Sequence, residues 1–164
     1  ITYVLHIKDR HNGNILIDRQ GHIIHIDFGF MLQNAPGGNV YVGGLETAPF
    51  KLTHDYVELL GSRLHAESPE FVIFRSLFMA GLLALRKHHE RLVLLVEATS
   101  IGFSGLPCFQ GSREQVVAAL KARLFLANTD RIVEQSVDRL ITSSAYNMFT
   151  RLYDSFQYYS NGIL

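Results

Sequence analysis

Two short stretches hold the side chains suited to a reaction: Asp9-Arg10-His11-Asn12-Gly13-Asn14, and Asp27-Phe28-Gly29, which begins thirteen positions after Asn14. Carboxylates and a carboxamide are the oxygen donors that a hard divalent cation takes. A histidine near its ordinary pKa can accept a proton at neutral pH. These types suit phosphoryl transfer, in which the protein does little covalent work. It supplies metal ions between the phosphates, a group that orients or deprotonates the attacking hydroxyl, and charge that stabilises the transition state. Asp-Phe-Gly alone is a weak signal. The linked set of acid, histidine, Asn-x-Asn, two β-branched runs and then Asp-Phe-Gly is much stronger.

The elements that must position these residues are legible in outline. Ile15-Leu16-Ile17-Asp18 and His22-Ile23-Ile24-His25-Ile26-Asp27 flank Arg19-Gln20-Gly21, a hairpin signature. Such a hairpin brings Asn14, before its first strand, and Asp27, at the end of its second, to one end of the ribbon. Ile1–Ile7 reads as the end of a helix. Residues 30–49 hold four Gly, two Asn and two Pro and read as a long loop. The period then turns helical. Thr53 caps a helix through Leu60, ended by Gly61. Ser68-Pro69-Glu70 opens an apolar helix over 71–85 that reads as buried, and 92–98 forms another. Ser112-Arg113-Glu114-Gln115 is a capping box for a helix to about Leu126. Thr129-Asp130 opens a helix to about Ile141, and Ser144 opens the last, to about Tyr159. A strand-rich start followed by five or six helices is α+β with segregated elements.

Size and composition agree with one domain or one lobe of a larger one: 164 residues, 48% hydrophobic and 18% charged. Fifteen basic residues balance fifteen acidic ones, so no global field draws the chain to nucleic acid, and none is expected as a partner. The single cysteine, Cys108, reads as a small, half-buried apolar residue, and nothing points to secretion. The start lacks both an initiator Met and a signal-peptide pattern, which is expected of a fragment. The longest apolar run is shorter than the roughly 20 residues of a membrane-spanning helix, so no transmembrane segment is expected. His88-His89 reads as a helix end rather than a metal site.

The five-residue step from Asp9 to Asn14 matches the protein-kinase catalytic loop, where Asp is the base and Asn holds metal. The order Asp9-Arg10-His11 reverses the His-Arg-Asp of that loop. In this reversal the sequence resembles the phosphatidylinositol 3- and 4-kinases and the related large protein kinases. Lys8 to Ile15 and Gly21 to Phe30 look like the type III, beta-like 4-kinases. So do Glu46-Thr47-Ala48-Pro49-Phe50-Lys51-Leu52, Leu106-Pro107-Cys108-Phe109, Leu152-Tyr153-Asp154-Ser155-Phe156-Gln157-Tyr158 and the tail Ser160-Asn161-Gly162-Ile163-Leu164.

The resemblance implies a protein-kinase-like C-lobe over 1–164: catalytic loop, hairpin and Asp-Phe-Gly in 1–30, activation loop in 31–52, helical part in 53–164. The N-lobe, with its glycine-rich loop and lysine, is absent, so the isolated chain is expected not to phosphorylate lipid. The resemblance implies an ATP-dependent kinase making phosphatidylinositol 4-phosphate, with magnesium or manganese. It places the enzyme in the cytoplasm, peripheral on cytosolic membrane faces at the Golgi, with a Rab-type GTPase as partner through a missing region. Asp9 would polarise the inositol hydroxyl, His11 would act as base or phosphate contact, and Asn14 and Asp27 would hold metal against ATP. Lys8 reads equally as a phosphate contact or a solvated charge. Arg10 reads as structural, paired with an acid.

Gly29, Phe30, Glu46 and Lys51 belong to the loop that would meet the lipid head group. From Phe28 to Phe50 there is no Lys or Arg, and Glu46 is the only charge. A ring bearing extra phosphates would need cations there, so unphosphorylated phosphatidylinositol is the expected substrate, with Lys51 available for its diester phosphate. Val40-Tyr41-Val42 reads either as an insertion beside the lipid or as packing. In the last helix Tyr146, Phe149, Tyr153 and Phe156 recur at spacings of three and four, one apolar face that reads as core packing beneath the loop or, on the resemblance, as a terminal helix that gates activity at the membrane. The rival readings are a 3-kinase that uses unphosphorylated lipid, a large protein kinase of the same superfamily, and a non-catalytic scaffold.

Overall fold

The computed structural model describes residues 1–36, 47–61, 68–109 and 111–162, without the side chains of Phe149 and Arg151. It is a mixed, mainly helical fold with one two-stranded antiparallel sheet. Strands β1 (Ile15–Ile17) and β2 (Ile23–His25) pair with Ile15 opposite His25, Leu16 opposite Ile24 and Ile17 opposite Ile23. The turn is set by Asp18. Its Oδ1 accepts from the main-chain N–H groups of Gln20 and His22, and Oδ2 lies 2.8 Å from His22 Nδ1. Gly21, at φ +86°, takes the left-handed position that a side chain would disfavour.

Six α-helices follow among the described residues: α1 (His54–Leu59), α2 (Pro69–Lys87), α3 (His89–Gly102), α4 (Arg113–Arg123), α5 (Asp130–Ala145) and α6 (Met148–Asn161). Thr53 caps α1 by accepting from Tyr56 N. The capping box of α4 is complete in both directions. Pro69 starts α2 as expected, but the Ser68 hydroxyl turns to Glu70 instead of capping. The segment before Lys8 is a hydrogen-bonded turn rather than a helix end.

Three further expectations are corrected. Ser144 does not open the last helix. It lies inside α5, fully buried, where its hydroxyl accepts from Phe50 N at 3.3 Å. A serine is a good cap only where the chain leaves extended backbone, and this one is spent on a contact 94 positions away. Second, α2 is not buried all round: Leu82 is in the core, whereas Val72, Ile73 and Leu77 are exposed. Arg75 ties it to α5 through Asp138 (2.6 Å) and Glu134 (3.0 Å). Third, the aromatic face expected of the last helix is only partly buried among the described residues: Tyr153 is in, Phe156 is 54% exposed, and Tyr146 caps α5 instead, 59% exposed. The inward residues of α6 are Thr150, Tyr153 and Gln157, while Met148, Leu152 and Tyr159 face out.

The core gathers around α4 and α5. Leu120 and Leu124 of and just after α4 meet Val133, Val137 and Ile141, which recur every fourth residue along α5. Each such side chain contributes about 1.5–3 kcal/mol by burial. Val4, Leu32, Phe50 and Leu52 join the same cluster, so the segments bordering the hairpin are anchored on the helical body.

Candidate active site

The loop ahead of β1 is organised by Arg10, which is 2% exposed. Its Nε donates to the Lys8 carbonyl at 2.9 Å. Its Nη1 donates to the carbonyls of Ile26 (2.7 Å) and Asn14 (3.3 Å), and its Nη2 donates to that of Asp27. The guanidinium also lies over the Phe28 ring, 5.8 Å from its centre. Arg10 therefore has a structural role, and these bonds join it to four main-chain carbonyls. One side chain thus fastens the start of the loop to the end of β2. Ile26 N donates to Asn14 O at 3.1 Å, which closes the same junction from the main chain. Asn14 and Asp27, thirteen positions apart, meet at one end of the ribbon as the hairpin required.

Both acids of the site have left-handed backbone, Asp9 at φ +62° and Asp27 at φ +55°. Such conformations are uncommon outside glycine and cluster at functional positions. The Asp9 side chain is 15% exposed. Its Oδ1 accepts from the Tyr153 hydroxyl of α6 and lies 3.9 Å from His11 Nε2. Asn14 Nδ2 donates to the Asp9 carbonyl at 2.8 Å and reaches Oδ2 at 3.4 Å. That orientation commits the amide nitrogen to the loop and leaves the amide oxygen to a cation. Asp27 keeps an exposed carboxylate whose only described contact is Gly29 N, at 3.3 Å. An amide oxygen and a carboxylate are both hard-cation donors, so the chemistry of Asn14 and Asp27 fits a divalent ion such as magnesium or manganese. His11 is buried, and among the described residues its Nδ1 has no hydrogen-bond partner.

The two lysines serve the frame. Lys8 N donates to Phe30 O at 2.9 Å and its ammonium to Ala48 O at 2.7 Å, so it clasps both ends of the segment that follows Asp-Phe-Gly. The Lys51 ammonium is engaged by Asp154 of α6 and by Asn12 Oδ1. Gly29 O accepts from Asn34 Nδ2 at 2.9 Å. Glu46 and Val40-Tyr41-Val42 lie outside the described residues. His88 and His89 fall at the junction of α2 and α3, as read. Burial pushes the Cys108 thiol up, which fits an inert half-buried residue. The polar face of α6 went unread: Tyr153, Gln157 and Asn161 recur every fourth residue, a stripe hidden within an aromatic-rich helix.

This loop and hairpin lie within a chain of a lipid-kinase family. Residues 1–111 match the family described as phosphatidylinositol 3- and 4-kinase, and the chain belongs to it. It is 44% identical over 163 residues to a phosphatidylinositol 4-kinase of Dictyostelium discoideum, a match over 99% of this chain. It is 42% identical over its whole length to the phosphatidylinositol 4-kinase beta of Homo sapiens and to that of Danio rerio. The chain spans only 13%, 19% and 18% of those three relatives.

Proposed function

We propose that these residues form the metal- and substrate-facing part, a protein-kinase-like C-lobe, of an enzyme that phosphorylates phosphatidylinositol at the inositol 4-hydroxyl with ATP. The observation that carries the chemistry is the convergence of Asp9, His11, Asn14 and Asp27 at one end of the β1–β2 ribbon. The 4-position is supported by the names of the relatives.

Asp9 orients and polarises the attacking hydroxyl. His11, with Nε2 turned toward Asp9, is placed to take the proton. Asn14 Oδ1 and the Asp27 carboxylate would hold a divalent ion, which would supply charge neutralisation on the ATP phosphates. Gly29 and Phe30 start the substrate loop and Glu46 lies near its end. The absence of Lys and Arg from Phe28 to Phe50 supports a substrate without extra ring phosphates. Lys8 and Lys51 border the substrate loop, and Lys51 reaches a lipid phosphodiester only when its pair with Asp154 opens. Among the described residues no helix is long and apolar enough to cross a membrane. The reading places the enzyme on cytosolic membrane faces, at the Golgi, with a Rab-type GTPase as a partner through regions outside this chain.

The test is turnover of phosphatidylinositol by the full-length protein with labelled ATP, with the ring position of the product identified. The expected product is the 4-phosphate, and Asp27→Ala should lower turnover by roughly a hundredfold or more. A 3-phosphate product would overturn the assignment.

A further inference from the structure

Three polar side chains along one stripe of α6, Tyr153 and Gln157 buried and Asn161 exposed at its end, form a chain of hydrogen bonds that runs in one direction and ends on Asp9. Asn161 Nδ2 donates to Gln157 Oε1 at 2.5 Å, Gln157 Nε2 donates to the Tyr153 hydroxyl oxygen at 3.0 Å, and the hydroxyl donates to Asp9 Oδ1. The polarity is fixed at each link. Because Gln157 spends its oxygen on Asn161, its nitrogen faces Tyr153. Because Tyr153 accepts there, its proton is left for the carboxylate. Bonds aligned in this way polarise one another. Tyr153 and Gln157 are 6% and 8% exposed, and burying polar groups in place of apolar ones costs stability unless they are satisfied. Plain packing of α6 needs neither the hydroxyl nor the amide.

We infer that Tyr153 is a positioning residue for Asp9, with Gln157 and Asn161 as its supporting relay; the inference rests on the reading of Asp9 as the group that orients the attacking hydroxyl. A carboxylate on a left-handed backbone, in a site open to substrate, has rotational freedom about its last bond. Tyr153 fixes Oδ1 from below, and Asn14 Nδ2 stands on the Oδ2 side at 3.4 Å. Donors on both sides of the carboxylate set the plane in which its oxygens lie. Geometry of this kind acts on the reacting complex rather than on substrate affinity.

The experiment uses the full-length protein, with phosphatidylinositol vesicles and ATP as substrates. Tyr153→Phe keeps the ring and deletes the donor. It should lower kcat roughly tenfold, the effect of losing a hydrogen bond to a charged group. KM for ATP and for lipid should be unchanged, and thermal unfolding should shift little. Gln157→Leu should lower kcat by a smaller factor, again at constant KM. Wild-type kcat in Tyr153→Phe overturns the inference, and so does a raised kcat, which would make the contact a brake. A loss of activity that tracks a loss of folded protein overturns it too. Asp9→Asn separates the two levels. If it abolishes turnover while Tyr153→Phe has no effect, only the relay fails; if Asp9→Asn turns over normally, the reading of Asp9 fails and the relay with it.

Discussion

The Lys51 ammonium lies 2.5 and 2.6 Å from the two carboxylate oxygens of Asp154, and 3.2 Å from Asn12 Oδ1. One buried cation therefore joins α6 to the loop that carries Asp9 and Asn14. The Lys51 side chain is 4% exposed and that of Asp154 24%. Breaking such a pair from one side strands the other charge, at a cost of about 2–3 kcal/mol for a partner that solvent can partly reach. Lys51→Met should lose that much in urea denaturation, and Lys51→Met with Asp154→Leu should recover part of it. Turnover should fall equally in Lys51→Met and Asp154→Asn if the pair is a tether. A larger loss of lipid affinity in Lys51→Met would mark direct contact with the phosphodiester.

Arg10→Lys tests the junction between the loop and β2. Lysine keeps the charge but lacks the planar fork that reaches the carbonyls of Lys8, Asn14, Ile26 and Asp27 at once. The expected loss is about 2–3 kcal/mol of stability. The magnesium concentration for half-maximal turnover should also rise, because Asn14 and Asp27 are no longer fastened to one another. Unchanged magnesium dependence would show that the junction is held without the arginine.

Acid should weaken the fold through His6. Burial, with Lys8 and Arg123 nearby, pushes its pKa down from the usual 6.5 to about 4. Its Nδ1 lies 3.0 Å from the Leu32 carbonyl, the geometry of a neutral ring that donates. Between those two values the unfolded chain binds a proton that the folded chain refuses, so stability rises with pH across the window. The contribution is complete above pH 6.5 and is lost as pH falls toward 4. His25 is depressed by burial and by Arg10 and acts with the same sign. Denaturation midpoints at about pH 7 and about pH 5 should differ, and His6→Gln should reduce the difference.

The capping box offers a control remote from the site. Ser112 Oγ accepts from Gln115 N at 3.2 Å and Gln115 Oε1 accepts from Ser112 N at 3.1 Å. Ser112→Ala should cost about 1 kcal/mol and leave kcat unchanged. A fall in kcat would mean that the helical body transmits strain to the loop.

The parts of this molecule that were legible beforehand are those set by neighbours in sequence. The hairpin follows from two β-branched runs around a glycine turn, and it brings Asn14 toward Asp27. The box at Ser112 and the cap at Thr53 are equally local. What was not legible is decided across long separations. Spacing finds a stripe on α6 but cannot say which stripe turns inward, because that choice depends on Asp9, 144 positions from Tyr153. Ser144 resembles a cap until Phe50 N is seen to need its hydroxyl. Nothing local in sequence shows that Arg10 reaches four carbonyls on both sides of the loop junction.

The inner face of α6 has a consequence for how its sequence can change. A greasy stripe tolerates slippage, since one aliphatic side chain replaces another at little cost. A row of directed hydrogen bonds does not. Each residue added to a helix turns everything after it by roughly 100°, so one insertion between Asn147 and Tyr153 would swing Tyr153, Asp154, Gln157 and Asn161 away from their partners together. Length in this stretch is thus constrained more tightly than composition: Met148, Leu152 and Tyr159, on the outer side, are free to vary in identity, while their number is not.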